Sequence, residues 1–488
     1  MMIIRFLKSP SITTVIVLLI MWRLLLIHVD APWFGHHDAN GVWLSAVSRN
    51  FRTYGVDEIG PIPVLNRAAI PPETALRYVR HPPLVPWAVT LSQWLFGEHE
   101  MNARLVSIFS TMIALAGFYV LCRRLYGKQH ALLCLILFAF TPMMIYFGRM
   151  PDHEPLSLAF LMSFMAVCVN WSRKPTRGRW WLMLGLAVLA IWTGWASFFF
   201  VFFTGLFGFW KGRPARRSRM IMLMAVSGLS VLSVAAFYQI FLPDTFPLLI
   251  DAFIWRTSTV SEISETFTIG EFIGQTLIHM LPYATMAGLV LGLIGIVPTI
   301  RRARGFDQAV LLALAVSGLV YILIFRSASY VHDYYKIYLI PFLMIAAANL
   351  IWLMLRNASV KRFAQPALVG MFLVSGIFSV IYLNTRYTAS FADATLAFAA
   401  NIAAHTEPQD VVLSDLEQAN PVIEFYARRY ILWNVQPDDV AAQAAASEFP
   451  VVYVYCGSDA NAVATLLRDE AATLTTAEDC GFIRFSSE

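Results

Sequence analysis

Two carboxylates, each set among basic side chains, carry the first chemistry in this sequence. Asp38 lies in Trp33-Phe34-Gly35-His36-His37-Asp38-Ala39-Asn40, and Asp152 in Arg149-Met150-Pro151-Asp152-His153-Glu154. A carboxylate beside imidazoles can act as a general base or help hold a metal ion. Any single loop aspartate is more often just a solvated acid. Other polar clusters accompany these two: Tyr78-Val79-Arg80-His81-Pro82-Pro83, Glu98-His99-Glu100 with Arg104, Trp255-Arg256-Thr257-Ser258, and His332-Asp333-Tyr334-Tyr335-Lys336. Acids and bases on one face suit an anionic lipid phosphate meeting a polar acceptor. Cations would hold the phosphate, and a carboxylate would take the acceptor's proton.

Such groups need elements to position them, and composition says that those elements are membrane helices. Of the 488 residues, 58% are hydrophobic and 14% charged, and the mean hydropathy is +0.62. A soluble domain carries about 25% charged residues and could not cover this much apolar surface. Apolar stretches near 11–28, 102–122, 129–147, 154–171, 180–194, 196–210, 220–242, 281–300, 308–325, 338–355 and 366–384 each resemble a span, about eleven in all. The first reads as an uncleaved helix, since no small-residue cleavage site follows it. The segment 180–210 is read as two short spans reversing at Thr193-Gly194-Trp195, because only then do the basic loops share a side. Those loops hold Arg123, Arg124 and Lys128; Arg173, Lys174, Arg177 and Arg179; Lys211, Arg213, Arg216, Arg217 and Arg219; Arg301, Arg302 and Arg304; and Arg356, Lys361 and Arg362. The positive-inside rule makes that side, and the N-terminus, cytoplasmic.

The opposite side then receives 29–101, the turn at Arg149–Asp152, the loop 243–280, the turn Arg326–Lys336 and the tail from about 385. Pro82–Phe96 is apolar but short, and reads as a helix lying in the interface. The expected architecture is a polytopic α-helical membrane domain over 1–385, including the outer loop 29–101, and a small extracytoplasmic α/β domain over 386–488. In the tail, strands are expected at Val411–Ser414, Tyr430–Val435, Pro450–Cys456 and Phe482–Phe485. Helices are expected between and before them, at about 391–404, 419–428, 438–447 and 459–469. The tail has no Gly-rich phosphate loop. Cys456 and Cys480 both fall in this outer domain, where a disulfide is permitted. Cys122, Cys134 and Cys168 lie in apolar spans and read as core residues.

The order of the motifs adds a resemblance. An acid follows the first helix, and then comes the His81-Pro82-Pro83 turn. Next come Gly97-Glu98 with Asn102-Ala103-Arg104-Leu105, an acid after the third helix, and His332, Tyr334 and Tyr335 before Pro341. Over about residues 10–385 this resembles the GT-C-type, lipid-linked-sugar glycosyltransferases of the protein mannosyltransferase and aminoarabinose transferase kind. The resemblance implies Asp38 as catalytic base and Asp152 as the second active-site acid. It implies His81 and Arg149 at the donor phosphate, with Arg256, His332, Lys336 and Tyr335 as further donor or substrate contacts. His37 and Glu154 would contact an ion or the acceptor. The implied donor is a polyprenyl-phosphate sugar, and the acceptor a protein, lipid or glycan. No cofactor is required, although a divalent cation is compatible with the acids; no nucleic acid is implicated. Two departures stand out. Ile191-Trp192-Thr193-Gly194-Trp195 occupies the region where family members often carry a lysine, and His36-His37 stands where many carry an acid pair.

The rival reading is a transporter or flippase of a lipid-linked substrate. A transporter usually shows charges within its spans and paired, interrupted halves. Here the spans are nearly free of charge and the ionisable groups gather on one side. An inactive scaffold that keeps the fold is a third reading, disfavoured by intact Asp38 and Asp152. The expected location is the plasma (inner) membrane.

Overall fold

The computed structural model describes residues 10–67, 75–260, 266–387, 392–417, 419–447, 449–456, 472–477 and 480–485. Its contacts divide the chain into two compact units, one of Met1–Ala31 with Val79–Arg386 and one of Pro32–Tyr78 with Tyr387–Glu488. This differs from a single cut at residue 385: most of the first outer loop folds with the tail. Hydropathy marks where a loop begins and ends but not which partner it packs on.

The first unit is a multi-pass helical membrane domain. Within hydrocarbon every backbone N–H and C=O must be paired inside its own segment, which leaves an apolar chain the helix as its solution. Among the described residues, five helices are long and apolar enough to cross: Glu100–Tyr126, His153–Arg173, Pro214–Phe241, Gly305–Ile324 and Ala358–Tyr387. A sixth candidate is the pair Ile269–Tyr283 and Met286–Arg302, bent by 116° between them. The expected count of about eleven therefore meets a shorter set by length. Pro10–Leu25 and Ala196–Lys211 have 16 residues each and Ile340–Arg356 has 17. Such helices rise about 25 Å, against about 30 Å of hydrocarbon. The stretch 129–147 is broken into Lys128–Ala139 and Pro142–Tyr146, with Thr141 capping the second piece. The reversal in 180–210 falls as expected, between Arg177–Thr193 and Ala196–Lys211. Leu84–Phe96 is a helix with one buried face, while Leu91, Trp94, Leu95 and Phe96 are exposed.

Small residues set the closest helix crossings. Gly117 on Glu100–Tyr126 faces His153–Arg173 so tightly that a Cβ would stand 2.9 Å from the Ser163 nitrogen. Gly292 and Gly295 on Met286–Arg302 lie against Ile340–Arg356, where a Cβ on Gly295 would strike the Ala346 carbonyl oxygen. Glycine lets backbones approach where lipid offers no hydrophobic gain for helix association. The basic helix ends gather together. Ser172, Lys211, Arg213, Arg216 and Gly305 line one cavity of about 340 Å³. Tyr126, Arg302, Arg304 and Arg356 share another of about 490 Å³. An Arg173–Asp307 ion pair at 3.1 Å joins two of these ends.

The second unit is built on a five-stranded sheet of order β2-β1-β3-β5-β4. Its strands are β1 Val411–Ser414, β2 Tyr430–Leu432, β3 Val451–Tyr455, β4 Ala472–Ala477 and β5 Cys480–Phe485. β1 runs parallel to β2 and β3, and β5 is antiparallel to β3 and β4. Alternation buries both faces: Val412, Val452, Val454 and Phe482 pack with Ala399 and Ile402, while Leu413, Tyr453, Ile483 and Phe485 pack with Val440 on the other. Four strands match the sequence pattern. β4 was not expected, and the helix expected at 459–469 lies outside the described residues. Cys456 and Cys480 form a disulfide at the β3–β5 edge. The segment 32–78 docks through its helix Ala39–Tyr54. Arg49 lies 4.2 Å over the Phe425 ring and donates to the Phe425 carbonyl at 3.1 Å. An Arg67–Glu424 ion pair supports the same contact.

If the Gly295 crossing holds the two helices together, Gly295→Leu should lower the melting temperature of the detergent-solubilised protein by several degrees, overpacking typically costing about 1–3 kcal/mol. Gly370→Leu, on a helix where a Cβ would meet nothing within 4 Å, should leave it unchanged.

Candidate active site

In the first unit the residues singled out at the helix ends converge. Three elements fix the Arg80–His81 backbone. Tyr238 donates its hydroxyl to the His81 carbonyl at 2.6 Å, and Trp195 donates its indole N–H to the Arg80 carbonyl at 2.9 Å. Arg256, near the end of helix Thr245–Thr257, donates to that same Arg80 carbonyl at 3.1 Å. Trp195 follows the Gly194 break, so the Thr193–Trp195 reversal brings it to this turn. The reversal at 193–195 thus supplies an indole that orders the Arg80–His81 backbone.

The other arm of Arg256 lies 2.8 Å from Nε2 of His81. A guanidinium can only donate, so Nε2 must accept and the imidazole proton sits on Nδ1. Burial, with Arg256 next, pushes the His81 pKa well below its ordinary 6.5. The ring is therefore neutral at pH 7. It stacks on His153 at 4.3 Å, and His153 follows Asp152, whose carboxylate caps the helix by accepting the His153 N–H at 2.7 Å and adjoins its ring nitrogen at 3.1 Å. Glu154 and Arg149 are buried beside them in sequence. His332, Arg80 and His153 all act electrostatically on His81.

The turn 332–338 adds a second group. Lys336 is fully buried and donates to the Ser329 and His332 carbonyls. Burial pushes its pKa down to about 7, opposed by Asp333. Asp333, itself buried, accepts the Tyr283 hydroxyl at 2.6 Å. Tyr335 is buried with its ring 5.5 Å from His332 and 5.4 Å from Tyr321. The arrangement thus gathers arginine, lysine and imidazole side chains, with the buried carboxylates of Asp152, Glu154 and Asp333 among them. It is suited to receive an anion such as a phosphate. His153, Asp333 and Tyr283 were not carried forward as site residues. His153 and Asp333 stand in the motifs already noticed, whereas nothing around Tyr283 in the sequence marks it.

In the second unit Asp38 is buried just before helix Ala39–Tyr54. One carboxylate oxygen accepts the Gly35 N–H at 2.8 Å, closing a tight turn. His36 and His37 lie together, ring centroids 4.1 Å apart, and His37 takes a left-handed backbone with φ of 63°. Gly41 is required here, since any Cβ would enter the Trp33 ring.

Comparison with known proteins points the same way as the motif order. The chain has the fold of polytopic GT-C-type glycosyltransferases. It superposes on ArnT from Cupriavidus metallidurans bound to undecaprenyl phosphate with a TM-score of 0.65 at 14% identity, over 98% of both chains. Its fold also matches AglB, the oligosaccharyltransferase of Archaeoglobus fulgidus determined with an inhibitory peptide and a dolichol-phosphate. There the TM-score is 0.58 at 13% identity, over 90% of this chain and 69% of that one. Residues 80–238 match the family model of dolichyl-phosphate-mannose-protein mannosyltransferases. By sequence, 122 residues are 32% identical to an undecaprenyl phosphate-alpha-4-amino-4-deoxy-L-arabinose arabinosyl transferase of Sodalis glossinidius, covering 24% of this chain and 22% of that protein. The chain thus aligns with under a quarter of the length of such relatives. The resemblance read from the motifs is borne out in the region where they are densest.

Nitrogen NMR of selectively labelled histidine provides a test of the site. His81 should remain a neutral Nδ1–H tautomer well below pH 6.5, and Arg256→Gln should raise its pKa towards that value. Because the folded pKa is depressed, the unfolded chain binds the proton first, so His81 contributes stability above pH 6.5 that is lost as the pH falls.

Proposed function

We propose that this protein is a membrane glycosyltransferase that moves a sugar from a polyprenyl-phosphate donor to an acceptor at the outer face of the membrane. The observation that carries the reading is the part-buried contact between Arg256 and neutral His81, with His153 stacked on the imidazole and His332 acting on it electrostatically. His81, Arg149, Arg256, His332 and Lys336 receive the donor phosphate, with Tyr335 along the substrate. Asp38 takes the proton of the acceptor nucleophile. Asp152 is the second acid, and His37 and Glu154 contact the acceptor or an ion. Support comes also from the relatives: the Sodalis enzyme is named for undecaprenyl-phosphate-linked aminoarabinose, and the ArnT and AglB structures hold polyprenyl phosphates.

The chemistry balances without a cofactor. The acceptor loses its proton to Asp38 and forms a bond to the anomeric carbon. The bond from that carbon to the phosphate oxygen breaks, and the electron pair leaves with the polyprenyl phosphate. The developing charge is on the phosphate, where fixed cations stabilise the transition state most. One base and one stabilised leaving group suffice for an inverting displacement, so a metal ion has no required part.

The test is transfer of a labelled sugar by the purified protein from a panel of polyprenyl-phosphate donors. Asp38→Asn should lower kcat at least about 100-fold, the scale of general base catalysis. Treatment with a chelator should leave the rate within twofold. Transfer that survives Asp38→Asn removes Asp38 as base. Loss on chelation that a divalent metal restores would make the acids metal ligands. Movement of intact donor across a vesicle membrane, without transfer, would favour the transporter.

Lys336 makes the donor step depend on pH. Below pH 7 its ammonium is present; above, the empty site releases the proton, while a bound phosphate retains it. The KM for donor should therefore be flat below pH 7 and rise about tenfold per unit above it, and Lys336→Arg, always charged, should flatten the rise. A wild-type KM that does not change between pH 6 and 9 removes Lys336 as a phosphate ligand.

A further inference from the structure

At the arginine-rich end of the first unit, away from the groups assigned above, lies a cavity of about 490 Å³. The helix ends at Tyr126, Arg302 and Arg356 meet there, with the start of Gly305–Ile324. Its depth is polar in one particular sense. The Asn349 amide donates one hydrogen to the Tyr126 hydroxyl at 3.2 Å and another to the Thr299 hydroxyl at 3.0 Å. Both oxygens are thereby occupied as acceptors, and each hydroxyl proton is left to be donated elsewhere. His130 is 6% exposed, stacked between Tyr126 at 4.7 Å and Trp352 at 4.8 Å, and its Nε2 has no hydrogen-bond partner. A buried polar atom without a partner costs about 1–3 kcal/mol, which a ligand atom would recover.

The mouth carries Arg302, Arg304 and Arg356, all exposed, and one acid, Asp307, already paired with Arg173 at 3.1 Å. Donors in the depth and cations at the mouth fit an anion with several oxygens. Beside it runs a second, apolar cleft of about 640 Å³, lined by Leu133, Leu137, Leu355, Leu368 and Phe372. Trp352 and Arg356 line both. A soluble anion would use the first cavity and leave the second bare. A lipid with a phosphate headgroup and a long chain fills both at once.

We propose that this pair of cavities is a binding site for an anionic phospholipid. The headgroup phosphate is received by His130, Tyr126 and Thr299 within the ring of Arg302, Arg304 and Arg356, and an acyl chain lies in the cleft between Lys128–Ala139 and Ala358–Tyr387. Basic pockets between helices at a membrane face are the physical form such recognition takes. The inference does not rest on the activity proposed above, since it uses none of those residues.

Native mass spectrometry of the detergent-solubilised full chain tests it. Titration with phosphatidylglycerol should give one tightly retained lipid, at least tenfold preferred over phosphatidylcholine of the same chains. The double change Arg302→Gln with Arg356→Gln, on exposed side chains that the fold does not need, should reduce retention at least fivefold. Leu368→Trp, which fills the cleft, should do the same with the arginines intact. Glycerol 3-phosphate, the headgroup without chains, should not compete at hundredfold excess. Equal retention of both lipids, or retention indifferent to all these changes, overturns the site. Competition by glycerol 3-phosphate would overturn the lipid in favour of a soluble phosphate.

Discussion

The helix ends of the first unit are arranged around one difficulty, a guanidinium held out of water. A buried cation is tolerated when acceptors surround it, and the usual acceptor is a carboxylate. Among the acceptors of Arg256 are a backbone carbonyl and a neutral imidazole ring. Each accepts from one of its terminal nitrogens, which ties the guanidinium to the Arg80–His81 segment at two points. It also makes demands on the rest. His81 must stay neutral, which burial and Arg256 arrange together, and the Arg80–His81 backbone must be fixed, which Tyr238 does from a helix and Trp195 from the reversal between two others.

Much of this was legible in the sequence, for identifiable reasons. The His81-Pro82-Pro83 turn, the acids at Asp38 and Asp152 and the His332–Lys336 segment stand out because ionisable residues are rare in so apolar a chain. The break at Thr193–Trp195 followed from charge: only two short helices let Lys211 and Arg216 face the cavity that Ser172 and Gly305 also line. The strands of the second unit were legible through alternation, and its described helices through period. Other features leave no local trace. Thr245–Thr257 and most of Ile269–Tyr283 fall in the segment 243–280 that the sequence reading leaves as loop, each being short for a span. The pairing of Arg49 with Phe425 joins residues far apart in sequence, so the docking of 32–78 on the tail is invisible to any window. β4, Ala472–Ala477, holds two alanines and three threonines around a single leucine and lacks the strong apolar pattern of its neighbours.

The bend between Ile269–Tyr283 and Met286–Arg302 shows how an irregular segment can serve the turn beside it. A break between two apolar helices leaves backbone groups that must be satisfied inside the protein. Here the Ala284 N–H donates to Met280, and the Thr285 hydroxyl accepts the Gly288 N–H at 2.9 Å, capping the new helix. Thr285 itself is held at φ of 60°, a conformation unfavourable for a β-branched residue and tolerated only where its surroundings impose it. What the bend achieves is the position of Tyr283, whose hydroxyl donates to Asp333 at 2.6 Å. Asp333 in turn opposes the loss of the Lys336 proton that burial promotes. The strained Thr285 thus stands beside a turn in which burial and Asp333 pull the Lys336 proton in opposite directions, so that an arriving anion favours the charged lysine.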